Sequence, residues 1–211
     1  DASKVCMIPN LLDLEEFDRL SAQEVFMPEG RIIGMVCRLE PEKDVGTFIR
    51  AATLLRGDFP DVRFVVVGSG SIGDELKKQA FEEGAGDSLF FLGERTDVPA
   101  LIKRFHIGVL TPSRNEGLSN SILEYMAAGI PVVATRCGGN EELLVTAGAG
   151  LIVQPGDWRS LASALARLLE EPAVAKDMGA RGRRKVVADH SPEEVARQFE
   201  ALYQQAVLSR R

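Results

Sequence analysis

The chain has 211 residues with a formal net charge of −6, and 45% of its residues are hydrophobic and 27% charged. That length can bury a substantial core, so one globular domain over 1–211 is expected, and the acidic balance excludes a general nucleic-acid binder. Cys6, Cys37 and Cys137 lack metal-ligand spacing, His106 and His190 are isolated, and neither a secretory signal nor a bilayer-spanning run is present; this predicts a cytoplasmic protein with reduced thiols and no metal.

The chain opens with Asp1-Ala2-Ser3-Lys4 and no initiator Met, which reads as a piece of something longer. Residues 1–30 form a lead-in segment. Short β-branched runs then alternate with helical patterns. Strands are predicted at Arg31–Val36, Val62–Val67, 89–92, Ile107–Leu110, 131–134 and Gly150–Val153. Between them come helices at Val45–Leu55, 72–84, 98–105, 118–128 and 141–145. Such alternation predicts an α/β fold: a doubly wound, Rossmann-like parallel sheet of six strands, with helices on both faces. Ligands of such sheets sit at the carboxyl ends of the strands.

Helices at 158–169, 173–187 and Pro192–Leu208 close the chain. Asp157 and Ser191 are suited to cap the first and last of these, and Pro192 fits a first helical position. The last helix, within 191–211, carries Val195, Phe199, Leu202 and Ala206 on one face, to pack on its own domain or on a partner. Arg181-Gly182-Arg183-Arg184-Lys185 and Arg210-Arg211 read as a solvated helix face and a charged tail, with a membrane-surface or interdomain contact as the lesser alternative.

Four segments carry candidate chemistry. After the first strand, Cys37-Arg38-Leu39-Glu40-Pro41-Glu42-Lys43-Asp44 puts two cations at a strand end before a helix. Arg38 offers a fork for paired oxygens and Lys43 a point charge, so together they suit a diphosphate. Surface pairing with Glu40 and Glu42 explains the same residues equally well. After the second strand, Gly68-Ser69-Gly70-Ser71-Ile72-Gly73 spells G-x-G-x-x-G, and Glu94 stands where a ribose ligand would in an NAD-type site. Its place on the second strand, away from Arg38 and Lys43, ranks that reading lower.

The most informative segment is Glu116-Gly117-Leu118-Ser119-Asn120-Ser121-Ile122-Leu123-Glu124. A helix beginning near Leu118 would aim its free N–H groups and positive dipole end between two carboxylates, a seat for phosphate. Fully helical, the segment would separate the acids by ~12 Å. A glycosidase pair needs about 5–9.5 Å, so the spacing instead suits a ligand with hydroxyls at both ends and phosphate between. A sugar nucleotide has that form. Alternatively, Ser121 and Glu124 form a capping box and Glu124 is architecture. Finally, Gly138 and Gly139 in Thr135-Arg136-Cys137-Gly138-Gly139-Asn140 would let backbone approach an anion, although an ordinary strand-to-helix turn explains them better.

Together these segments resemble the carboxyl-terminal, donor-binding domain of a retaining glycosyltransferase of the GT-B fold, family 4 (glycosyl transferases group 1). The resemblance rests on Ile8-Pro9-Asn10…Phe17, Gly34…Arg38-Leu39…Lys43 and Phe91-Leu92-Gly93…Asp97-Val98-Pro99, and on Glu116-Gly117…Leu123-Glu124…Met126-Ala127 with Gly129-Ile130-Pro131-Val132-Val133-Ala134-Thr135. Leu11-Leu12 stands where the family usually has Gly-Val, and Asp44 where Gly is common.

The resemblance implies one half of a GT-B fold, its amino-terminal acceptor domain absent from this chain. It implies that Arg38 and Lys43 hold the diphosphate and stabilise its developing charge. Glu116 would meet donor-sugar hydroxyls, Glu124 the ribose, and the N–H groups of Gly117, Leu118 and Ser119 the distal phosphate. Gly93, Glu94 and Arg95 would line the base pocket. The implied donor is a UDP- or GDP-sugar, used without metal or other cofactor and with retained configuration. Peripheral membrane association of the full-length enzyme stays open, as does a GT-B epimerase or hydrolase of sugar nucleotides. The isolated chain is expected to transfer little sugar.

Overall fold

The computed structural model describes residues 8–208; Cys6 and Arg210-Arg211 lie outside the described residues. Six parallel strands form one sheet: β1 (Arg31–Val36), β2 (Val62–Val67), β3 (Leu89–Phe91), β4 (Ile107–Leu110), β5 (Val132–Thr135) and β6 (Gly150–Val153). Their order is β3-β2-β1-β4-β5-β6, the doubly wound arrangement, with connections running outward in opposite directions from β1 and β4. The crevice between the carboxyl ends of those two strands is therefore the switch point where ligands of such sheets bind.

Alternation along the strands builds two cores. Ile33, Met35, Phe64, Val66, Ile107, Val109 and Val133 face one side, covered by α2 (Val45–Leu55), α3 (Gly73–Glu82) and α7 (Trp158–Glu170). Ile32, Val65, Val67, Leu110, Val132 and Ala134 face the other. There α1 (Leu14–Ser21), α4 (Val98–Ile102), α5 (Asn120–Ala127), α6 (Asn140–Ala147) and α8 (Pro172–Asp189) pack, and α9 (Pro192–Leu208) docks on α8. Burial on both faces explains why the strands read as continuous apolar runs.

Three differences from the sequence reading have physical causes. The lead-in segment contains α1, unpredicted because it buries only Phe17; Asp13 starts it by accepting from the Glu16 N–H. α5 begins at Asn120 rather than Leu118, with Ser119 as its N-cap, so residues 116–119 are not helical and the ~12 Å spacing does not apply. The apolar face of α9 is only partly covered: Val195 is buried and Leu202 half-buried, while Phe199, Tyr203 and Val207 are exposed.

The expected caps form: Asp157 accepts from the Ser160 N–H and Ser191 from the Glu194 N–H. The basic run of α8 is mostly an internal staple. Arg181 bonds Asp177 and the Gly148 carbonyl, Arg183 bonds Asp18 and the Ala127 carbonyl, and Lys185 pairs with Asp189. Arg183 thus reaches the last carbonyls of α5, where a cation also complements the helix dipole. Among the described residues no helix is long and apolar enough to cross a membrane.

Candidate functional site

Two loops meet at the switch point. The turn after β1 passes through a single 3-10 turn, Pro41–Lys43, and Asp44 then takes a left-handed conformation (φ 45°) while capping α2 through the Thr47 N–H. Asp is among the few residues other than glycine that tolerate this geometry, which is why the departure from Gly is accommodated. The turn is tied to its neighbours on both sides. Leu39 exchanges backbone bonds with Ser69 and Ile72, Glu40 accepts from the Ser71 N–H and hydroxyl, and Thr111 donates to the Lys43 and Asp44 carbonyls.

Lys43 crosses the switch point to Glu116 on the β4 loop, Nζ to Oε2 2.6 Å, both side chains largely buried. The surface pairing that the sequence allowed is therefore wrong for Lys43 and weak for Arg38. Arg38 lies 3.7 Å from Glu42 with its side chain 74% exposed, held too loosely to prevent it from reaching a ligand. Beside the pair, burial pushes the Cys37 thiol up to about 12, so it stays protonated and is no nucleophile at neutral pH.

The 116–119 loop is backed from behind. The Gly139 N–H donates to the Gly117 carbonyl (3.1 Å) and Asn10 Nδ2 to the Leu118 carbonyl (3.1 Å). A Cβ on Gly138 (φ 55°) would stand 1.9 Å from the Glu116 carbonyl oxygen. The paired glycines therefore serve close packing of one loop on another. In a trans peptide the N–H points opposite the C=O, and no cis bond occurs among the described residues. With three successive carbonyls turned back, the N–H groups of Gly117, Leu118 and Ser119 point the other way. Among the described residues none of the three donates to a protein acceptor. Three free N–H groups leading into a helix start form an anion seat.

Glu124 lies within α5, not in a capping box: Ser119 is the cap, and the Ser121 hydroxyl donates to the Val36 carbonyl instead. Its carboxyl is mostly buried with no hydrogen-bond or ion-pair partner among the described residues, and burial pushes it up to about 7. An unpartnered carboxylate is costly unless a ligand completes it.

The predicted base residues lie alongside. Glu94 and Arg95 share a cavity of about 430 Å³ with Val36, Cys37, Arg38 and Ser69. Gly93 lines the adjoining cavity of about 400 Å³, next to Phe91 and Leu39. Glu94 accepts from the Ser69 hydroxyl and Arg95 pairs with Asp97. The G-x-G-x-x-G motif is not a dinucleotide cradle. A Cβ on Gly68 would stand 1.9 Å from the Cys37 carbonyl oxygen, and one on Gly70 2.3 Å from that of Leu39, so these glycines serve backbone packing. Asp74 and Glu75 in the first turn of α3 would repel a pyrophosphate.

A cavity of about 560 Å³ lies behind the 116–119 loop, lined by Asn10, Leu118, Leu143, Lys185, His190 and Gln198 among others. Lys185 is paired with Asp189, and His190 Nδ1 lies 2.8 Å from the Asn10 carbonyl oxygen. Gly117 also lines this cavity, whereas Arg38, Lys43 and Glu116 do not. Asn10 was missed as a site residue because its partner is distant in sequence; the Ile8-Pro9-Asn10 motif was its only signal.

Residues 16–185 match the family described as Glycosyl transferases group 1. The chain belongs to that family. Among curated relatives of this group 1 chain, the lipopolysaccharide core biosynthesis mannosyltransferase LpcC of Rhizobium leguminosarum bv. viciae is 32% identical over 84% of the chain and 51% of that protein. The UDP-Gal:alpha-D-GlcNAc-diphosphoundecaprenol alpha-1,3-galactosyltransferase of Escherichia coli is 31% identical over 89% of the chain and 50% of its own length. The chain spans about half the length of the curated relatives it matches.

Among solved structures, Anabaena HepE in complex with UDP superposes with a TM-score of 0.86 at 22% identity, over 97% of this chain and 58% of that one. The C-terminal domain of a group 1 glycosyl transferase (LpcC) from Francisella tularensis superposes with a TM-score of 0.72 at 23% identity, covering 88% and 96%. The fold is thus that of GT-B glycosyltransferases, and the chain is a glycosyltransferase domain.

Proposed function

We propose that this domain is the donor-binding half of a retaining, family-4 glycosyltransferase that holds a UDP- or GDP-sugar without a metal. The observation that carries the reading is the switch-point arrangement: a Lys43–Glu116 pair beside three unused N–H groups, with an unpartnered Glu124 further along α5. Phosphate lies on the N–H groups of Gly117, Leu118 and Ser119, the ribose diol on Glu124, and the base against Gly93, Glu94 and Arg95. HepE, similar in fold, was solved with UDP, and the relatives above are named as mannosyl- and galactosyltransferases.

Lys43 keeps Glu116 beside the donor sugar, where the carboxylate accepts from sugar hydroxyls, and shares its remaining N–H donors with the phosphate. Arg38 folds inward from its weak contact with Glu42 onto the same oxygens. As the anomeric C–O bond breaks, its electron pair passes to the phosphate oxygen, and charge grows where the two cations are already placed. Such preorganisation is worth several kcal/mol in the transition state, and the two side chains serve as a divalent ion otherwise would. The acceptor hydroxyl attacks from the same face and its proton passes to the departing phosphate. Acceptor binding belongs to a second domain, supplied by the other half of such relatives, and exposed Phe199 and Tyr203 on α9 suit a contact with it.

The test is a thermal-shift titration with UDP, GDP and NAD. One nucleoside diphosphate should raise the melting temperature in a concentration-dependent way, and Arg38→Ala or Lys43→Ala should weaken it at least about tenfold, the scale of a charge-assisted bond. Stabilisation by NAD with none from UDP or GDP would refute the reading.

A further inference from the structure

The donor site described above is divided between two separate pieces of the fold, and this inference rests on that reading. The cations stand on the turn after β1, while Glu124 and the free N–H groups stand on and before α5. A nucleoside diphosphate touches both, so their separation has to be held to within a fraction of an ångström for tight binding. The β1–β4 ladder comes close to doing so but stops early: its register runs Ile33↔Ile107, Gly34↔Gly108 and Met35↔Val109, and then the strands part.

Val36 is the next residue of β1, and α5 takes over both of its backbone groups. The Val36 N–H donates to Tyr125 Oη (2.7 Å), and the Ser121 hydroxyl donates to the Val36 carbonyl (2.8 Å). Tyr125 Oη also lies 3.4 Å from the Val109 carbonyl oxygen, the last β4 residue in the ladder. Ser121 and Tyr125 are four apart and so share one face of the helix. Glu124 is the immediate neighbour of Tyr125, and Arg38 is two residues beyond Val36.

The sheet is shaped to admit this contact. Gly34 and Gly108 are register partners in adjacent strands. A Cβ at Gly108 would fall 2.5 Å from the Tyr125 ring, and one at Gly34 2.0 Å from the Phe105 ring. The two rings, 6.3 Å apart, fill the slot that the glycines leave. Tyr125 is fully buried and its hydroxyl reaches the strand end because nothing stands between. Filling the slot alone would need only a phenylalanine; the hydroxyl adds a rung between strand and helix.

We propose that Tyr125, with Ser121, is a positioning residue of the donor site: the pair replaces the missing β1–β4 rung and fixes Glu124 and the N–H groups against Arg38 and Lys43. A ligand that spans both pieces feels the loss of that rung. A ligand held by one piece alone does not.

Tyr125→Phe keeps the ring and removes the rung, and UDP, which spans both pieces, and uracil, which does not, are the two probes. Titrations of the 211-residue chain, well below each variant's melting temperature, should show UDP weakened about tenfold, the scale of one buried hydrogen bond. Uracil, which in the proposed pose meets only Gly93, Glu94 and Arg95, should change less than about twofold on the same scale. Ser121→Ala, at a partly exposed position, carries the same comparison if Tyr125→Phe fails to fold. Unchanged UDP affinity with only a lowered melting temperature would overturn the proposal, since that is what a core residue gives. Equal weakening of both ligands would also overturn it. A wild-type chain that binds neither UDP nor GDP would remove the donor-site reading itself, and the proposal with it.

Discussion

Lys43 and Glu116 stand 73 residues apart, and their contact was not legible in the sequence. Local pattern offered Lys43 two nearer acids, and only the sheet order brings the β4 loop to it. Removing one partner of such a buried pair strands the other charge, so Lys43→Ala should cost about 3 kcal/mol, the low end for buried pairs. The double variant with Glu116→Ala should regain part of that stability in thermal denaturation but none of the UDP affinity. For Glu124 the start of α5 eliminates the capping-box alternative that the sequence allowed. Burial raises its carboxyl from 4.5 to about 7, equivalent to ~3 kcal/mol at ~1.4 kcal/mol per pH unit. A raised folded value contributes stability that is fully present below about pH 4.5 and lost as pH rises through about 7. Glu124→Gln should therefore melt higher than wild type at pH 8 and alike at pH 4.5, while binding UDP more weakly. Because ribose hydroxyls favour the ionised carboxylate, UDP binding should release a proton near neutral pH, measurable by calorimetry in buffers of different ionisation enthalpy.

Among the elements, the strands were the most legible, because burial on two faces makes the central ones short apolar runs rich in β-branched residues. α1 was invisible for the opposite reason, one buried residue in eight. The start of α5 was misplaced by two residues because Ser119 caps it without a side-chain hydrogen bond, the feature a sequence reader looks for. Glycines show the limit most clearly. Gly68, Gly70, Gly138 and Gly139 could be read as phosphate cradles, a reading ranked below its alternative in both motifs, and most of what they accommodate is another stretch of backbone, which no local motif encodes. Gly68→Ala should therefore destabilise the unliganded protein by about 3 kcal/mol or more, as its φ of 134° and the Cys37 carbonyl leave no room. Gly57→Ala, with nothing within 4 Å of the added methyl, should be near neutral in the same denaturation series. A glycine kept only for a ligand would leave unliganded stability intact at both positions.

For the whole molecule, the sheet order places one crevice between β1 and β4 and the sequence places its chemistry there. The fold class followed from strand–helix alternation; a division of labour between two domains was implied only by the family resemblance and belongs to the proposal. Phe199, Tyr203 and Val207 form an exposed stripe on α9, the surface that the proposed second domain would contact. On the proposal that a second domain completes the crevice, the 211-residue chain should bind donor yet transfer no measurable sugar from it in a product assay. The most direct measurement is a backbone-amide NMR titration of the labelled chain with UDP and GDP. One of the two should shift the amides of Gly117, Leu118 and Ser119 most strongly, with Arg38 and Glu124 responding at the same ligand concentration. Shifts confined to residues 68–73, or none at any of these amides, would contradict the placement of the diphosphate at the start of α5.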